Sequence, residues 1–351
     1  MTRGAGFTPV RQGFELDRTR LEAWLAVNVE GFAGPLTIDQ FSGGQSNPTF
    51  RLSTPKARYV LRRKPIGKLL QGAHAVDREA RVMRAMESVG LPVPHVFALC
   101  TDDSIIGSWF YVMDLVDGRI FWDGGFGDLD AAERGGLQEA MVETLASIHT
   151  VEPASIGLAD FGRTGGYLSR QIARWTRQYL EDEDAGHTPD MDFMVDWLGA
   201  AVVRDQETRV VHGDYRIDNL IFHPTMPKVA AVLDWELSTL GDPVVDFTYN
   251  LMMYRVPSFL PWGLADRDLK ALGLPSEEDY VAAYCRRTGR TGIDDRELYL
   301  AFNLFRLAAI IHGIKGRMIR GTASSAGAAA MVEQLDMLAS IARKTAERND
   351  R

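Results

Sequence analysis

The chain has 351 residues, 46% of them hydrophobic and 25% charged, with a net charge of −8. That length exceeds what one compact core usually holds, so two lobes are the expectation. The acidic balance argues against a nucleic-acid partner, which needs a surplus of Lys and Arg, but leaves a local anion site such as a nucleotide pocket open.

In chain order, residues 1–15 read as a loose terminus. Leu21, Trp24, Leu25 and Val29 then recur at helical spacing and predict a helix over about 15–30. Short strands follow at 36–41 and 49–52, joined by the turn Ser42-Gly43-Gly44-Gln45-Ser46-Asn47. A third strand, 58–63, is stopped by Pro65. A helix over 75–89 places Val82, Met83, Met86 and Val89 on one face, and strands at 96–100 and 108–116 complete the first region. From about 130 the pattern turns helical. Leu137, Met141, Leu145 and Ile148 make one apolar stripe, and Leu168, Ile172, Trp175 and Tyr179 make a second over 166–180. Three short strands, 209–212, 220–223 and 229–235, interrupt the helices, which resume near 243–254, 276–287, 295–315 and 328–347. The expected class is α+β, with an antiparallel sheet lobe carrying one inserted helix over 1–115 and a mainly helical lobe over 116–351. Ligands often bind between such lobes.

Cys100 and Cys285 are the two cysteines, which excludes a disulfide framework and a CxxC zinc site, and both read as core residues. The first residues lack an apolar segment, and no apolar run approaches the ~18 residues of a membrane span. A cytoplasmic protein without a membrane partner is the expectation.

The chemistry concentrates between 210 and 246. Val210-Val211-His212-Gly213-Asp214 is an apolar run breaking into a polar turn, so Asp214 sits at a strand end. Asn219 precedes the apolar Leu220-Ile221-Phe222, and a later strand ends in Asp234. Pairing of those two strands as a hairpin brings Asn219 near Asp234. Asp and Asn are also ordinary turn formers; the flanking strands and the spacing to Asp234 set this group apart. Oxygen-bearing side chains in such a set suit Mg²⁺, a hard cation that takes few protein ligands. Phosphoryl transfer needs such a set, with one carboxylate to take the proton of the attacking hydroxyl and two oxygen ligands to hold the metal.

The run from Val210 to Phe222, with Val232-Leu-Asp-Trp-Glu236 and Gly241-Asp-Pro-Val-Val-Asp246, resembles the aminoglycoside phosphotransferase/choline kinase family over roughly residues 35–320. The resemblance implies a protein-kinase-like fold and a kinase using ATP and Mg²⁺. It makes Asp214 the catalytic base, Asn219 and Asp234 the metal ligands, and His212 and Asp246 the braces of the loop. Trp235-Glu236, followed shortly by Gly241, points away from a protein substrate. By the same resemblance Gly43, Gly44, Gln45, Ser46 and Asn47 cover the phosphates, although Gly-Gly between strands is also an ordinary hairpin. Arg62, preferred by strand register over Arg63, with Lys64 as the alternative, pairs with Glu79 to hold phosphate. Met113, Asp114 and Val116 occupy the adenine position.

The acceptor is less legible. Residues 63–79 and 166–175 resemble the kinase-like domains fused to acyl-CoA dehydrogenases, which implies a hydroxyacyl or hydroxyacyl-CoA alcohol. Arg170, Arg174, Arg306, Lys315, Arg317 and Arg320 could serve an anionic acceptor or be solvated helix faces. The acidic run 181–184 reads as a solvated loop, or as the wall of a pocket for a cationic aminoglycoside. An aminoglycoside or amino-alcohol kinase, and a nucleotide-binding pseudokinase without turnover, stand as alternatives.

Overall fold

The computed structural model describes residues 6–42, 47–66, 75–204, 207–322 and 327–349. The chain divides into two units, one of Met1–Phe121, Ala154–Leu158 and Arg216–Ser238, the other of Trp122–Pro153, Ala159–Tyr215 and Thr239–Arg351. This differs from a single break after residue 115, because backbone hydrogen bonds tie the 216–238 segment to the first unit. Arg119 and Phe222 exchange N–H and carbonyl at 2.8 Å each way, and Val232 N donates to Pro92 O at 2.8 Å.

Among the described residues the first unit carries a six-stranded antiparallel sheet. Its spatial order is Phe7–Thr8, Thr37–Phe41, Thr49–Ser53, Arg58–Arg63, Phe110–Asp114 and Val96–Cys100. The short first strand falls inside the stretch expected to be loose. Side-chain alternation splits the sheet into two faces. One gathers Phe50, Leu52, Tyr59, Leu61, Phe110 and Val112 against Leu21 and Leu25 of the helix Arg18–Asn28 and Val29 at its end. Asp17 starts that helix by accepting from Arg20 N at 3.0 Å, the usual way to satisfy a free helix N–H.

The inserted helix is Val76–Glu87, with Val76, Ala80, Val82, Met83 and Met86 buried. Val89, expected on the same face, is 47% exposed: the helix has ended, and Gly90 at φ 79° turns the chain away. The segment returning to this unit forms the hairpin Leu220–Phe222 with Val229–Val232, then the helical turn Trp235–Leu237.

The second unit is built on helices Ala131–Thr150, Tyr167–Glu181, Pro189–Ala200, Pro243–Leu251, Glu277–Thr288, Arg296–Ile319 and Leu335–Asn349. Both predicted apolar stripes, that of Leu137 to Ile148 and that of Leu168 to Tyr179, are buried. The helix Pro189–Ala200 was not anticipated, although Thr188 caps it and Pro189 opens it, a legible start signal. The strand Thr239–Gly241, which pairs with Arg209–Val211, is too short to show a period. The predicted helix 328–347 is two, Ala328–Val332 and Leu335–Asn349. Helix Arg296–Ile319 is apolar and long enough to cross a membrane by composition alone, contrary to expectation; 78% of its apolar window is buried within the protein, as a core helix requires.

Candidate functional site

In the first unit, strand register decides which arginine does what. Arg63 points into the apolar face, is 1% exposed, donates to Phe14 O at 3.3 Å and lies 5.4 Å from the Phe50 ring centre. Burial pushes its pKa down. Arg62, one residue earlier, emerges on the opposite face. Its Nε lies 3.0 Å from Glu79, and its Nη2 reaches Asp234 at 2.6 Å and Glu236 at 3.1 Å. Lys64 takes neither role: it sits over the Trp109 ring, 3.6 Å from Asp77.

Glu79 is 1% exposed and accepts from Asn47 Nδ2 at 2.9 Å and from the Tyr111 hydroxyl at 3.0 Å. Burial raises its carboxyl to about 7 despite the opposing pull of Arg62. Burial disfavours the Arg62 charge too, yet Glu79, Asp234 and Glu236 outweigh it and hold Arg62 above its ordinary range. Asn47 also donates to Glu236 at 3.3 Å, so the base of the Gly-rich turn is tied into the same network. Gly43, Gly44, Gln45 and Ser46 lie outside the described residues. Met113 pairs across the sheet with Val60 and shares a face with Tyr111; Asp114 N donates to His95 O at 2.9 Å, and Val116 is half-buried.

The hairpin brings Asn219 beside Asp234. Leu220 pairs with Val232, and Leu233 N donates to Asn219 O at 2.8 Å. Asp234 then adopts φ 64°, ψ 59°, a left-handed conformation that Asp tolerates better than most residues. Trp235 Nε1 locks the turn by donating to Val232 O at 3.0 Å. Three carboxylates, Glu79, Asp234 and Glu236, face one guanidinium, which leaves net negative charge and hard oxygen donors. Among the described residues no group of three or more His, Cys, Asp or Glu could hold a metal, so these carboxylates are not a metal cluster by themselves. What fits a hard divalent cation such as Mg²⁺ is the Asp234 carboxylate, with Asn219 beside it on the paired strand.

The second unit holds the loop at Asp214. Asp246, in the helix Pro243–Leu251, accepts from His212 N at 2.6 Å and from Gly213 N at 2.8 Å. His149 Nε2 lies 3.1 Å from the same carboxylate, and its Nδ1 is 2.7 Å from the Tyr284 hydroxyl. Burial works to raise the Asp246 pKa, but these hydrogen bonds and the neighbouring imidazoles keep it below the ordinary carboxylate range. His212 is fully buried and accepts from Asp214 N at 3.2 Å. The next residue anchors the loop, with the Tyr215 hydroxyl donating to Met141 O at 2.9 Å. The Asp214 carboxylate accepts from Tyr249 Oη at 2.6 Å, and Arg306 donates to Gly213 O at 2.8 Å.

Sequence reasoning missed Tyr111, His149 and Tyr249 and gave Glu236 only a negative meaning. Nothing in their local spacing marks them; each matters through a partner between 32 and 189 residues away. Arg306 is buried against the loop rather than solvated. Arg170 instead donates to the Gly165 and Arg163 carbonyls. Arg320 bonds Asp182 at 2.6 Å and Asp184 at 2.9 Å, so the acidic run is partly neutralised.

Residues 37–296 match the sequence model of APH, the phosphotransferase enzyme family. Acyl-CoA dehydrogenase family member 10 of Mus musculus is 43% identical over 323 residues, which is 91% of this chain but 30% of that protein. The chain spans less than half the length of the curated relatives it matches. A solved Ralstonia eutropha chain assigned as an aminoglycoside phosphotransferase is 45% identical, with TM-score 0.87, covering 95% of this chain and 99% of that one. Aminoglycoside phosphotransferase APH(4)-Ia, solved with AMP-PNP and hygromycin B, shares the fold at 16% identity and TM-score 0.57, over 92% of this chain and 98% of its own.

Proposed function

The chain belongs to the phosphotransferase enzyme family, and from that premise we propose that it is an ATP- and Mg²⁺-dependent kinase acting on a hydroxyl of a small molecule in the cytoplasm, with a hydroxyacyl or hydroxyacyl-CoA as the acceptor. The observation that carries the reading is the coexistence of the braced Asp214 loop with the Arg62–Glu79 pair and the Asn219–Asp234 hairpin. Asp214 accepts the proton of the acceptor hydroxyl. Arg62, anchored by Glu79, turns its guanidinium to the nucleotide phosphates, for which a planar fork of donors is suited. Asn219 and Asp234 hold Mg²⁺, which when bound neutralises charge on the phosphate oxygens. Met113, Asp114 and Val116 take the adenine position.

The acyl acceptor is supported by the likeness to a protein named for acyl-CoA dehydrogenation, of which this chain matches one part. Pairing of Asp182 and Asp184 with Arg320 weakens the case for a cationic aminoglycoside there.

The test is ADP release with ATP-Mg²⁺ across hydroxyacyl-CoAs, free hydroxy acids, aminoglycosides and choline, with the product identified by ³¹P NMR. Hydroxyacyl acceptors should turn over, and Asp214→Asn should lower kcat by about a thousandfold or more while nucleotide binding persists. Preferential turnover of aminoglycosides or choline would displace the acceptor assignment. Nucleotide binding with no transfer to any acceptor would mark a pseudokinase.

A further inference from the structure

Tyr249 lies in the helix Pro243–Leu251, one turn after Asp246. One helix therefore grips the Asp214 loop twice, by its backbone through Asp246 and by its carboxylate through the Tyr249 hydroxyl, 2.6 Å from Oδ1. The Tyr249 ring is buried, and the Arg306 guanidinium sits over its face at 4.9 Å. Arg306 in turn donates to Gly213 O at 2.8 Å, and its Nε is buried with no hydrogen-bond partner among the described residues. Trp175 borders the guanidinium at 5.8 Å. Tyrosine and arginine thus hold each other while each holds one part of the Gly213-Asp214 unit. A hydroxyl kept only for packing would not need to end on the reactive carboxylate.

We propose that Tyr249 is a positioning residue for phosphoryl transfer, its hydroxyl holding the Asp214 carboxylate in the orientation in which it receives the proton. This rests on the functional reading above. The acceptor O–H proton passes to the Asp214 carboxylate as the acceptor oxygen bonds to the γ-phosphorus. The bond from phosphorus to the β,γ-bridging oxygen breaks, and ADP leaves with that electron pair. Among the described residues, the charged or titratable groups around the loop include Arg306 from the helix Arg296–Ile319, Asp246 from Tyr249's own helix, His149 behind Asp246, His212 and Tyr215 in the loop, and Tyr167 near Arg306 and Asp246. Arg174, over the Trp175 ring at 5.0 Å, adds a second cation nearby.

Tyr249→Phe removes the hydroxyl and keeps the ring under Arg306, so the fold has no hole to close. With the acceptor found in the panel, kcat should fall about tenfold and KM for ATP should stay unchanged. A readout that needs no acceptor is carboxyl ¹³C NMR of protein labelled at aspartate, the Asp214 signal being assigned by its loss in Asp214→Asn. At one fixed pH the Asp214 carboxyl signal should move in Tyr249→Phe from its position in the unsubstituted protein, because the carboxylate has lost a hydrogen-bond donor. An unmoved Asp214 signal overturns the proposal, and so does a moved signal with undiminished kcat. Turnover that survives Asp214→Asn overturns the functional reading and this proposal together, and that variant alone distinguishes the two failures.

Discussion

Arg62 and Arg63 are adjacent, chemically identical and assigned opposite fates by the two-residue period of a strand. Arg63 enters the apolar face and is held by carbonyls and the Phe50 ring; Arg62 faces Glu79, Asp234 and Glu236. That much follows from register, which Arg58 to Arg63 already display. The partners do not follow from it: Tyr111 and Asn47 reach Glu79 from 32 residues away in either direction along the chain. The consequence for Glu79 is measurable. Its folded pKa, raised by burial from 4.5 to about 7, means that the native state holds a proton the unfolded chain has released. Its contribution to stability is therefore full below pH 4.5 and is lost as pH rises to about 7. Denaturant unfolding across that range should show the stability of the unsubstituted protein declining relative to Glu79→Gln, by on the order of 3 kcal/mol at about 1.4 kcal/mol per unit. A difference that is flat between pH 4.5 and 7 contradicts a protonated Glu79.

At the scale of elements, the helix Pro243–Leu251 organises the Asp214 loop. Asp242 caps it by accepting from Val244 N at 2.9 Å, which sets the phase that turns both Asp246 and Tyr249 to the loop. Asp246 is a buried carboxylate serving two backbone N–H groups and an imidazole, and its depressed pKa signs the effect. The stability it contributes is present above the unfolded carboxylate value of 3.8 and is lost as pH falls through the lower folded value. Asp246→Asn replaces one acceptor oxygen with a donor and leaves an N–H or the imidazole unanswered. Unfolding at pH 7 should show a loss of about 2–4 kcal/mol, shrinking toward acid pH, with a fall in kcat larger than the rise in KM. Equal stability of both proteins at pH 7 would falsify the bracing role. The Gly241-Asp-Pro-Val-Val-Asp246 run was legible as a helix start with a carboxylate inside it. His149 was not, because it stands at the end of a helix whose apolar stripe accounts for its neighbours without it.

For the molecule as a whole, ligand binding should register in global unfolding. ATP with Mg²⁺ at about one hundred times its Kd should stabilise by about 2.7 kcal/mol and raise Tm by several degrees. Scanning fluorimetry should show that rise in Asp214→Asn and lose its Mg²⁺-dependent part in Asp234→Asn; an undiminished Mg²⁺ effect in Asp234→Asn removes Asp234 from the metal site. The sequence by itself determined the fold class, nearly every element over five residues, and the Asp214, Asn219 and Asp234 motif, because apolar periodicity and short-range spacing are local properties. Only the tertiary structure decided that the 216–238 hairpin joins the sheet-bearing unit and that the expected membrane-free chain hides a long apolar core helix. It likewise decided that Glu236 and Tyr111 share the knot around Arg62 and that Tyr249 closes on Asp214. Those outcomes depend on which distant groups exclude water from one another, and a burial cost is settled only when every partner is in place.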